Sequence, residues 1–362
     1  MGQFICDDCE VIVKSSIVKP VVSAVVAIHN MQRNGYLNEL LESFARQTSN
    51  KVEYVLVDDA SEDRSLSIAR EFAEGRSDTT VLHLLENKKQ GAARNRGIFV
   101  ARGMYIAPVD ADDYVSDGYF SSIVQAALRT NADVIAPAYF QRVDSKGTII
   151  AEPYRNAPSI EFEGQIDDSF RRILLLNHGQ LWCSKRQLFD DVDNYYVEGI
   201  AYEDTPALVR WLLQYASLAV AEEACYFYRI HETSTTQTTA NSEKLLKDRL
   251  HSAKLILANA KGLGLYESYK PEIEECFMRV YLFGTLRMLR GGAQVYCATK
   301  HCASCQSTEK IPITRRSMVQ TASKRCLRYA RHDFLHAPIN SFVCFGHCAL
   351  TDDYVNRGFS DE

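Results

Sequence analysis

The chain has 362 residues, 46% hydrophobic and 24% charged, with a formal net charge of -5 and a pI of about 6.0. A single core of this length is unusual, so we expect one α/β domain with an appendage, or two domains. The acidic balance argues against a nucleic-acid partner. The first residues lack a basic region followed by an apolar run, and no run reaches the roughly 18 apolar residues that cross a bilayer. We therefore expect no signal peptide, no membrane span and a cytoplasmic location.

Eleven cysteines are scattered along the chain. Without an export signal, reduced thiols are the expected state. A structural zinc site is the alternative, since Cys6 and Cys9 form a C-x-x-C pair. A looser group follows much later in the chain and consists of Cys297, His301, Cys302 and Cys305. Zinc prefers four ligands at closed spacing, and neither group supplies two clean pairs.

Apolar runs and helical periods alternate up to about residue 143. The predicted strands are PVVSAVVAIHN (20–30), VEYVLVDD (52–59), TTVLHLLE (79–86), GMYIAPVD (103–110) and ADVIAPAYFQRV (132–143). The predicted helices are GYLNELLESFARQT (35–48), ASEDRSLSIAREFAE (60–74) with Ser61 as its cap, QGAARNRGIFVAR (90–102) entered through a glycine turn, and DGYFSSIVQAALRT (117–130). This order predicts an α/β fold with a mainly parallel sheet and helices on both faces.

After residue 144 the alternation weakens. Loops mix with helices up to about residue 235, and from residue 242 onward the pattern is helical. The predicted helices are TPALVRWLLQYA (205–216), EKLLKDRLHSAKLILANA (243–260) and PEIEECFMRVYLFGTLRML (271–289). The polar stretch TSTTQTT (233–239) is typical of a linker or mobile loop. The segment 300–332 is locally basic.

Polar residues follow three of the predicted strands: His29 with Asn30, Asp58 with Asp59, and the run Asp110-Ala111-Asp112. In open parallel sheets ligands bind beyond the carboxyl ends of the strands. One binding site built from three strand ends is therefore the simplest explanation of these clusters.

The stretch VDADDY, residues 109–114, places three carboxylates within four residues. On an extended segment Asp110 and Asp112 point to the same side. Such a pair suits Mg²⁺ or Mn²⁺, which take carboxylate, water and phosphate oxygens. Asp113 is predicted to point elsewhere and to cap the next segment. The alternative is a cluster of caps and turns without a ligand.

Other candidate residues near the same edge also allow two interpretations. Asp58 or Asp59 can accept hydrogen bonds from a base or a ribose, or can cap the next helix. Arg94 suits phosphate or carboxylate, or lies on a solvated helix face. Gly91 would let the backbone approach a ligand closely.

Four stretches together resemble the family 2 glycosyltransferases of GT-A fold: VSAVVAIHN, VEYVLVDDASEDRS, KQGAARNRGIFVARGMYIAPVDADDY and YEDTPALVRWLL. The resemblance covers about residues 20–235. It implies a nucleotide-sugar donor, a divalent metal and inversion at the anomeric carbon. The roles it implies are a nucleobase pocket at Ala27, Ile28, His29 and Asn30, a base contact at Asp58 or Asp59, a base or diphosphate contact at Arg94, a ribose and metal contact at Asp110, and a metal ligand at Asp112. The family often has Pro and Tyr where this chain has Ala27 and His29.

The resemblance also assigns roles to a second pair of acids and to a histidine. Asp204, next to Glu203, would be the base that takes the proton from the acceptor hydroxyl, although two acids at a helix start can also be caps. His231, in YFYRIHETSTT, would touch the diphosphate or the metal, within a segment that closes over the donor. A surface histidine is the alternative. Trp182 would lie under a sugar ring or in the core.

The resulting prediction is a cytoplasmic metal-dependent glycosyltransferase, a hexosyl- or N-acetylhexosaminyl-transferase that uses a UDP-sugar. Its acceptor would be a glycan or lipid-linked molecule of bacterial surface-polysaccharide assembly. The predicted parts are a nucleotide-sugar-binding half (18–143), an acceptor-binding half with the base (144–236) and a helical extension (237–362). The basic tail could reach anionic lipid at the inner face of the plasma membrane. Two alternatives stay open, a sugar nucleotidyltransferase and a non-catalytic nucleotide-sugar-binding subunit.

Overall fold

The structure is a computed structural model that describes residues 7–150, 154–155, 164–176, 183–231 and 243–283. Almost all of them belong to one compact unit, residues 1–238 with 244–280. A second unit, 239–243 with 281–362, lies almost wholly outside the described residues. The predicted roles of Trp182, the segment 233–239, the late cysteine group and the basic tail therefore lie outside them, and the predicted domain boundaries remain predictions.

A single eleven-stranded sheet forms the centre of the first unit, in the order β1-β4-β3-β2-β5-β10-β7-β11-β6, with β8 paired to β7 and β9 to β11. The strands are β1 Cys9–Val13, β2 Val22–Ile28, β3 Val52–Asp58, β4 Thr79–Leu84, β5 Tyr105–Asp110, β6 Tyr114–Val115, β7 Val134–Val143, β8 Tyr154–Arg155, β9 Gly164–Gln165, β10 Cys183–Lys185 and β11 Ser217–Arg229. The run β4-β3-β2-β5 is parallel, as is the pair β7-β11, whereas the other pairs are antiparallel. The expected mainly parallel α/β sheet is confirmed.

Helices cover both faces of this sheet. They are α1 Tyr36–Ala45, α2 Ser65–Ala73, α3 Lys89–Val100, α4 Tyr119–Thr130, α5 Asp168–Leu176, α6 Asp204–Gln214, α7 Glu243–Gly262 and α8 Lys270–Met278. The strand β2 shows why two layers form: Val26 packs in the core with α1, α2 and α4, whereas Val25 packs in the core with α3, α5 and α6. Successive side chains of a strand face opposite ways, so a strand that is apolar throughout needs cover on both faces. No described helix has the length and apolar character needed to cross a membrane.

Two helix starts differ from the sequence prediction. Ser61 does not cap α2, which begins at Ser65. The hydroxyl of Ser61 instead accepts a hydrogen bond from the Asn30 N–H (3.0 Å), and its own N–H donates to Asp58 (3.2 Å). These two bonds tie the loop to the strand ends before the helix starts. Gly91 lies inside the first turn of α3, which begins at Lys89, so no glycine turn precedes that helix.

Six of the eleven strands were not predicted, and the two longest of these are β1 and β11. The edge strand β1 begins at the buried Cys9 and pairs with β4. Cys6 lies outside the described residues, so the C-x-x-C zinc hypothesis stays untested. The longer omission is β11, thirteen residues that run parallel to β7 and bring Arg229 to the site.

Candidate active site

The carboxyl ends of β3 and β5 lie on either side of the end of β2. In the strand register Ile28 pairs with Asp58, and Ala27 pairs with Asp110. Ala27 is half-buried, Ile28 is buried, and the next two residues, His29 and Asn30, are exposed. The three clusters singled out in the sequence therefore share one edge of the sheet, as parallel pairing requires.

The two acids at the end of β3, Asp58 and Asp59, have different partners. Asp58 is fully buried, and its Oδ2 lies 2.8 Å from His83 Nδ1, whereas its Oδ1 has no hydrogen-bond partner among the described residues. Asp59 accepts a hydrogen bond from the Lys88 N–H (2.8 Å), and burial raises the pKa of its carboxyl. The backbone oxygen of Asp59 lies 2.7 Å from His29 Nδ1. A buried acceptor without a partner is unusual in a protein interior.

Asp110, Asp112 and Asp113 converge because they lie on a turn at the end of β5, and not on an extended strand. β5 ends at Asp110, and the N–H of Asp113 donates to the Asp110 carbonyl (3.2 Å). One carboxylate oxygen from each of Asp110, Asp112 and Asp113 lies within 4.8 Å of the other two. Convergence of Asp110 and Asp112 is therefore as predicted, but the turn also brings in Asp113.

Asp113 was predicted to cap the next segment, and this prediction is wrong. It is fully buried and accepts hydrogen bonds from the Tyr226 hydroxyl and the Arg229 N–H, both at 2.7 Å. Burial, with the neighbouring charge of Asp112, raises the pKa of this carboxyl well above its usual value. The partners come from β11, more than 110 residues later, so nothing local to the motif indicates them.

The donor set fits a hard divalent cation. Asp110 and Asp112 are both half-buried, so solvent reaches them, and the cluster offers only carboxylate oxygens. Oxygen ligands of this kind are the ones that Mg²⁺ and Mn²⁺ prefer. Burial raises the pKa of Asp110, and Arg94 lowers it in turn.

His231 reaches this cluster from the residue pair that follows β11. Its Nε2 lies 2.7 Å from Asp112 Oδ2, and its ring lies 5.1 Å from the ring of Tyr36 on α1. His231 therefore lies beside the acidic cluster, and its predicted contact with a diphosphate or a metal remains a prediction.

Arg229 was not identified from the sequence. Its side chain contacts the backbone of the acidic cluster. It is 1% exposed and donates to the backbone oxygens of Asp112 (2.9 Å) and Asp144 (3.3 Å), and also to Glu39 on α1. Its guanidinium lies over the ring of Tyr36, 4.5 Å from the centroid. The only available signal was the arginine two residues before His231 in the segment YRIH.

Arg94 links the strand-end acids to the second acid pair. Its Nη2 donates to Asp110 Oδ1 (2.5 Å) and its Nη1 donates to Glu203 Oε1 (2.7 Å). Glu203 is 4% exposed, and its burial raises the pKa of the carboxyl to about 7. Asp204, the first residue of α6, is exposed. Arg94 is buried, so the interpretation of a solvated helix face is wrong.

Gly91 makes a close approach, and the neighbours are protein atoms. A Cβ added there would lie 2.6 Å from the carbonyl oxygen of Val197 and 3.1 Å from Glu203 Cγ. The glycine therefore lets α3 pack against the segment that leads to Asp204, and the contact with a ligand predicted from the sequence remains a prediction.

Comparison with known proteins points to one family of enzymes. The family model described as Glycosyl transferase family 2 matches residues 23–192. The uncharacterized glycosyltransferase EpsJ of Bacillus subtilis is 28% identical over 251 residues, covering 67% of this chain and 71% of EpsJ. The glycosyltransferase GlyG of Streptococcus pneumoniae is 29% identical over 236 residues, covering 60% of this chain and 73% of GlyG.

A solved structure shares the architecture. The crystal structure of S. aureus TarS residues 1–349 in complex with UDP-GlcNAc aligns with a TM-score of 0.54 and 19% identity, covering 73% of this chain and 82% of that one. The fold is the GT-A fold of nucleotide-sugar-dependent glycosyltransferases. Over residues 23–192 the chain is similar to the family 2 glycosyltransferases. The expected similarity to this family and the expected fold are thereby confirmed.

Proposed function

We propose that this protein is a metal-dependent inverting glycosyltransferase that moves a hexosyl or N-acetylhexosaminyl group from a UDP-sugar to a hydroxyl group of a glycan or lipid-linked acceptor. The observation that carries the proposal is the chain of contacts from Asp110 through Arg94 to Glu203, the neighbour of Asp204. These contacts connect Asp110, at the end of β5, to the start of α6, where the exposed carboxylate of Asp204 lies.

The donor's nucleoside would lie at the ends of β2 and β3. The backbone at Ala27 and Ile28 borders this region, and His29 and Asn30 provide exposed polar groups. A carboxylate at the end of β3 can accept an N–H from a base, and this is the role proposed for Asp58 or Asp59. UDP is the first choice because TarS, which shares the fold, was crystallised with UDP-GlcNAc.

Asp110 and Asp112 would hold the Mn²⁺ or Mg²⁺ ion, with His231 placed against Asp112. When bound, the metal neutralises charge on the diphosphate leaving group. The chain's own residues supply the rest of the environment: Arg94 and Arg229 place positive charge beside the acidic cluster, and Arg229 fixes the turn through Asp112 O.

Asp204 would be the general base. In the transfer step its carboxylate takes the proton of the acceptor hydroxyl, the hydroxyl oxygen bonds to the anomeric carbon, and the bond from that carbon to the diphosphate oxygen breaks with its electron pair. The nucleoside diphosphate leaves on the face opposite the acceptor, so the anomeric configuration inverts. The exposure of Asp204 supports this role because the acceptor has to reach it.

Bacterial surface-polysaccharide assembly, at the cytoplasmic side of the membrane, is the setting that we propose for this activity. The nucleotidyltransferase alternative gains no support from the chain after β2, where His29, Asn30 and Met31 stand instead of a glycine-rich phosphate loop. A non-catalytic subunit would not need the exposed Asp204 beside a buried, Arg-paired Glu203.

Release of UDP from a panel of UDP-hexoses and UDP-N-acetylhexosamines, with Mn²⁺ or Mg²⁺, tests the proposal. Hydrolysis by water gives a basal signal that needs no known acceptor. We expect one or more donors to release UDP with wild-type protein and none with Asp204→Asn. Equal release by Asp204→Asn would remove the base assignment, and no release with any donor or metal would contradict the proposed activity.

A further inference from the structure

The two neighbouring acids at the start of α6 lie in opposite environments. Glu203 is 4% exposed and directed at Arg94, whereas Asp204 is exposed and its Oδ1 accepts the N–H of Thr205 (2.8 Å). A base that serves an incoming acceptor must be reachable and must have a lone pair to give. Glu203 does not meet the first requirement, because it is buried and faces Arg94 inside the protein.

Arg94 has its two terminal nitrogens committed to two separate parts of the chain. Nη1 binds Glu203, Nη2 binds Asp110, and the guanidinium lies 5.1 Å from the ring centroid of Tyr196. A planar guanidinium holds two carboxylates in a fixed geometry better than a flexible ammonium can. Arg94 itself is 3% exposed, so water does not compete for these bonds.

The rest of α3 is packed to keep this geometry. The side-chain amide of Asn95 donates to the Tyr196 carbonyl (2.8 Å), and its Oδ1 accepts the Tyr196 N–H (2.9 Å). The absence of a Cβ at Gly91 lets the helix approach Val197 O and Glu203 Cγ. The contacts of Gly91, Arg94 and Asn95 on α3 therefore fix the segment 196–203, which ends immediately before Asp204.

We propose that Glu203 is a positioning residue: through Arg94 it fixes the start of α6 relative to Asp110, and so sets where Asp204 stands with respect to the sugar-diphosphate bond. We call Arg94 and Glu203 together the Arg94 clamp. The inference rests on the proposed function for its catalytic meaning. It assigns the two acids separate tasks, Asp204 for the proton and Glu203 for the geometry.

The substitutions Glu203→Gln and Glu203→Ala separate a positioning residue from a base. A glutamine keeps an oxygen that can accept from Arg94, so Glu203→Gln should release UDP within about fivefold of the wild-type rate. Glu203→Ala removes the tie and should lower kcat roughly 10- to 100-fold with little change in the KM for the donor. The matched control is Glu272→Ala, since Glu272 is a buried glutamate that pairs with Arg172 at 2.8 Å. It should leave kcat unchanged.

Hydrogen exchange of the segment 196–206, measured without nucleotide, makes the test independent of the donor. We expect faster exchange in Glu203→Ala, near-wild-type exchange in Glu203→Gln, and no change there in Glu272→Ala. If Glu203→Gln is as inactive as Glu203→Ala while its exchange is normal, Glu203 takes part in proton transfer and the inference is overturned. Wild-type exchange and kcat in Glu203→Ala would overturn it as well. If wild-type protein releases no UDP, the proposed function fails, and the exchange result alone decides whether the clamp exists.

Discussion

His231 Nε2 lies 2.7 Å from Asp112 Oδ2, although 119 residues separate the two along the chain. The contact exists because β11 runs parallel to β7 and delivers its carboxyl end to the turn that carries the acids. The acidic cluster and the histidine beside it therefore come from two distant segments, and the properties of this cluster depend on both.

Substitution of His231 should weaken metal-dependent nucleotide binding. Partners that orient metal-binding carboxylates typically contribute 10- to 100-fold in metal affinity, so we expect His231→Ala to lower the affinity for UDP with Mn²⁺ by roughly that factor. Calorimetric titration measures it. His251→Ala, which changes an exposed histidine on α7, should bind as the wild type does. An unchanged affinity in His231→Ala would show that the contact with Asp112 has no part in donor binding.

A methyl group at position 91 should disturb both stability and activity. In Gly91→Ala the new Cβ would lie 2.6 Å from Val197 O, so α3 or the segment 196–203 has to move. Overpacking of this kind costs about 1–3 kcal/mol in the free energy of unfolding, measured with a chemical denaturant. UDP release should fall as well. Gly262→Ala is the control, because nothing lies within 4 Å of a Cβ added there. Equal stability of the two variants would contradict the close packing.

Stability without metal should fall as pH rises from about 4.5 to about 7, in part because of Glu203. Burial raises the pKa of this carboxyl from 4.5 to about 7, so the folded protein holds a proton that the unfolded chain has lost. The corresponding stabilisation is complete below the unfolded pKa and is lost as pH passes the folded one. Its upper limit is about 3 kcal/mol.

Glu203→Gln tests this linkage, because it removes the titration and keeps the size of the side chain. Unfolding free energies at several pH values should show a weaker fall for the variant than for the wild type across this window. Parallel curves for the two proteins would mean that Glu203 titrates near its ordinary pKa, and that burial does not suppress its charge.

Arg229 should contribute more to stability than its exposed partner Glu39. Arg229→Lys cannot reach the carbonyl oxygens of Asp112 and Asp144 with the same fork, and it leaves buried acceptors unpaired. We expect a loss of about 2–4 kcal/mol in the free energy of unfolding. Glu39→Gln changes a 41% exposed side chain and should cost under about 1 kcal/mol. A similar cost for Arg229→Lys and Glu39→Gln would contradict the larger contribution to stability expected of the buried Arg229.

The strand ends could be predicted from sequence because each depends on a local pattern. β-branched apolar runs mark β2 and β3, and parallel pairing then places Asp58 and Asp110 on one edge, whatever the later chain does. Glu203 and Asp204 were identified only by resemblance, since two acids before a helix look the same whether they cap it or catalyse.

The contacts that fix the side chains could not be predicted, because their partners are remote. Asp113 is buried and hydrogen-bonded because Tyr226 and Arg229, both on β11, contact it. The sequence of β11, SLAVAEEACYFYR, mixes buried and exposed positions and was not predicted as a strand. Gly91 likewise looked like a turn residue, whereas its small size matters for contact with Val197, more than 100 residues away. In both cases the residue could be singled out from the sequence, but its contact partners could be identified only from the fold.

Calorimetric titration with UDP, GDP and CDP, with and without Mn²⁺, on the wild type and on Asp112→Ala, tests the central claim most directly. The account predicts that UDP binds, that binding strengthens with Mn²⁺, and that Asp112→Ala abolishes the metal-dependent part while keeping the folded state. If no nucleotide binds under any condition, or if Asp112→Ala binds UDP with Mn²⁺ as tightly as the wild type, the metal and donor site proposed at Asp110 and Asp112 is contradicted.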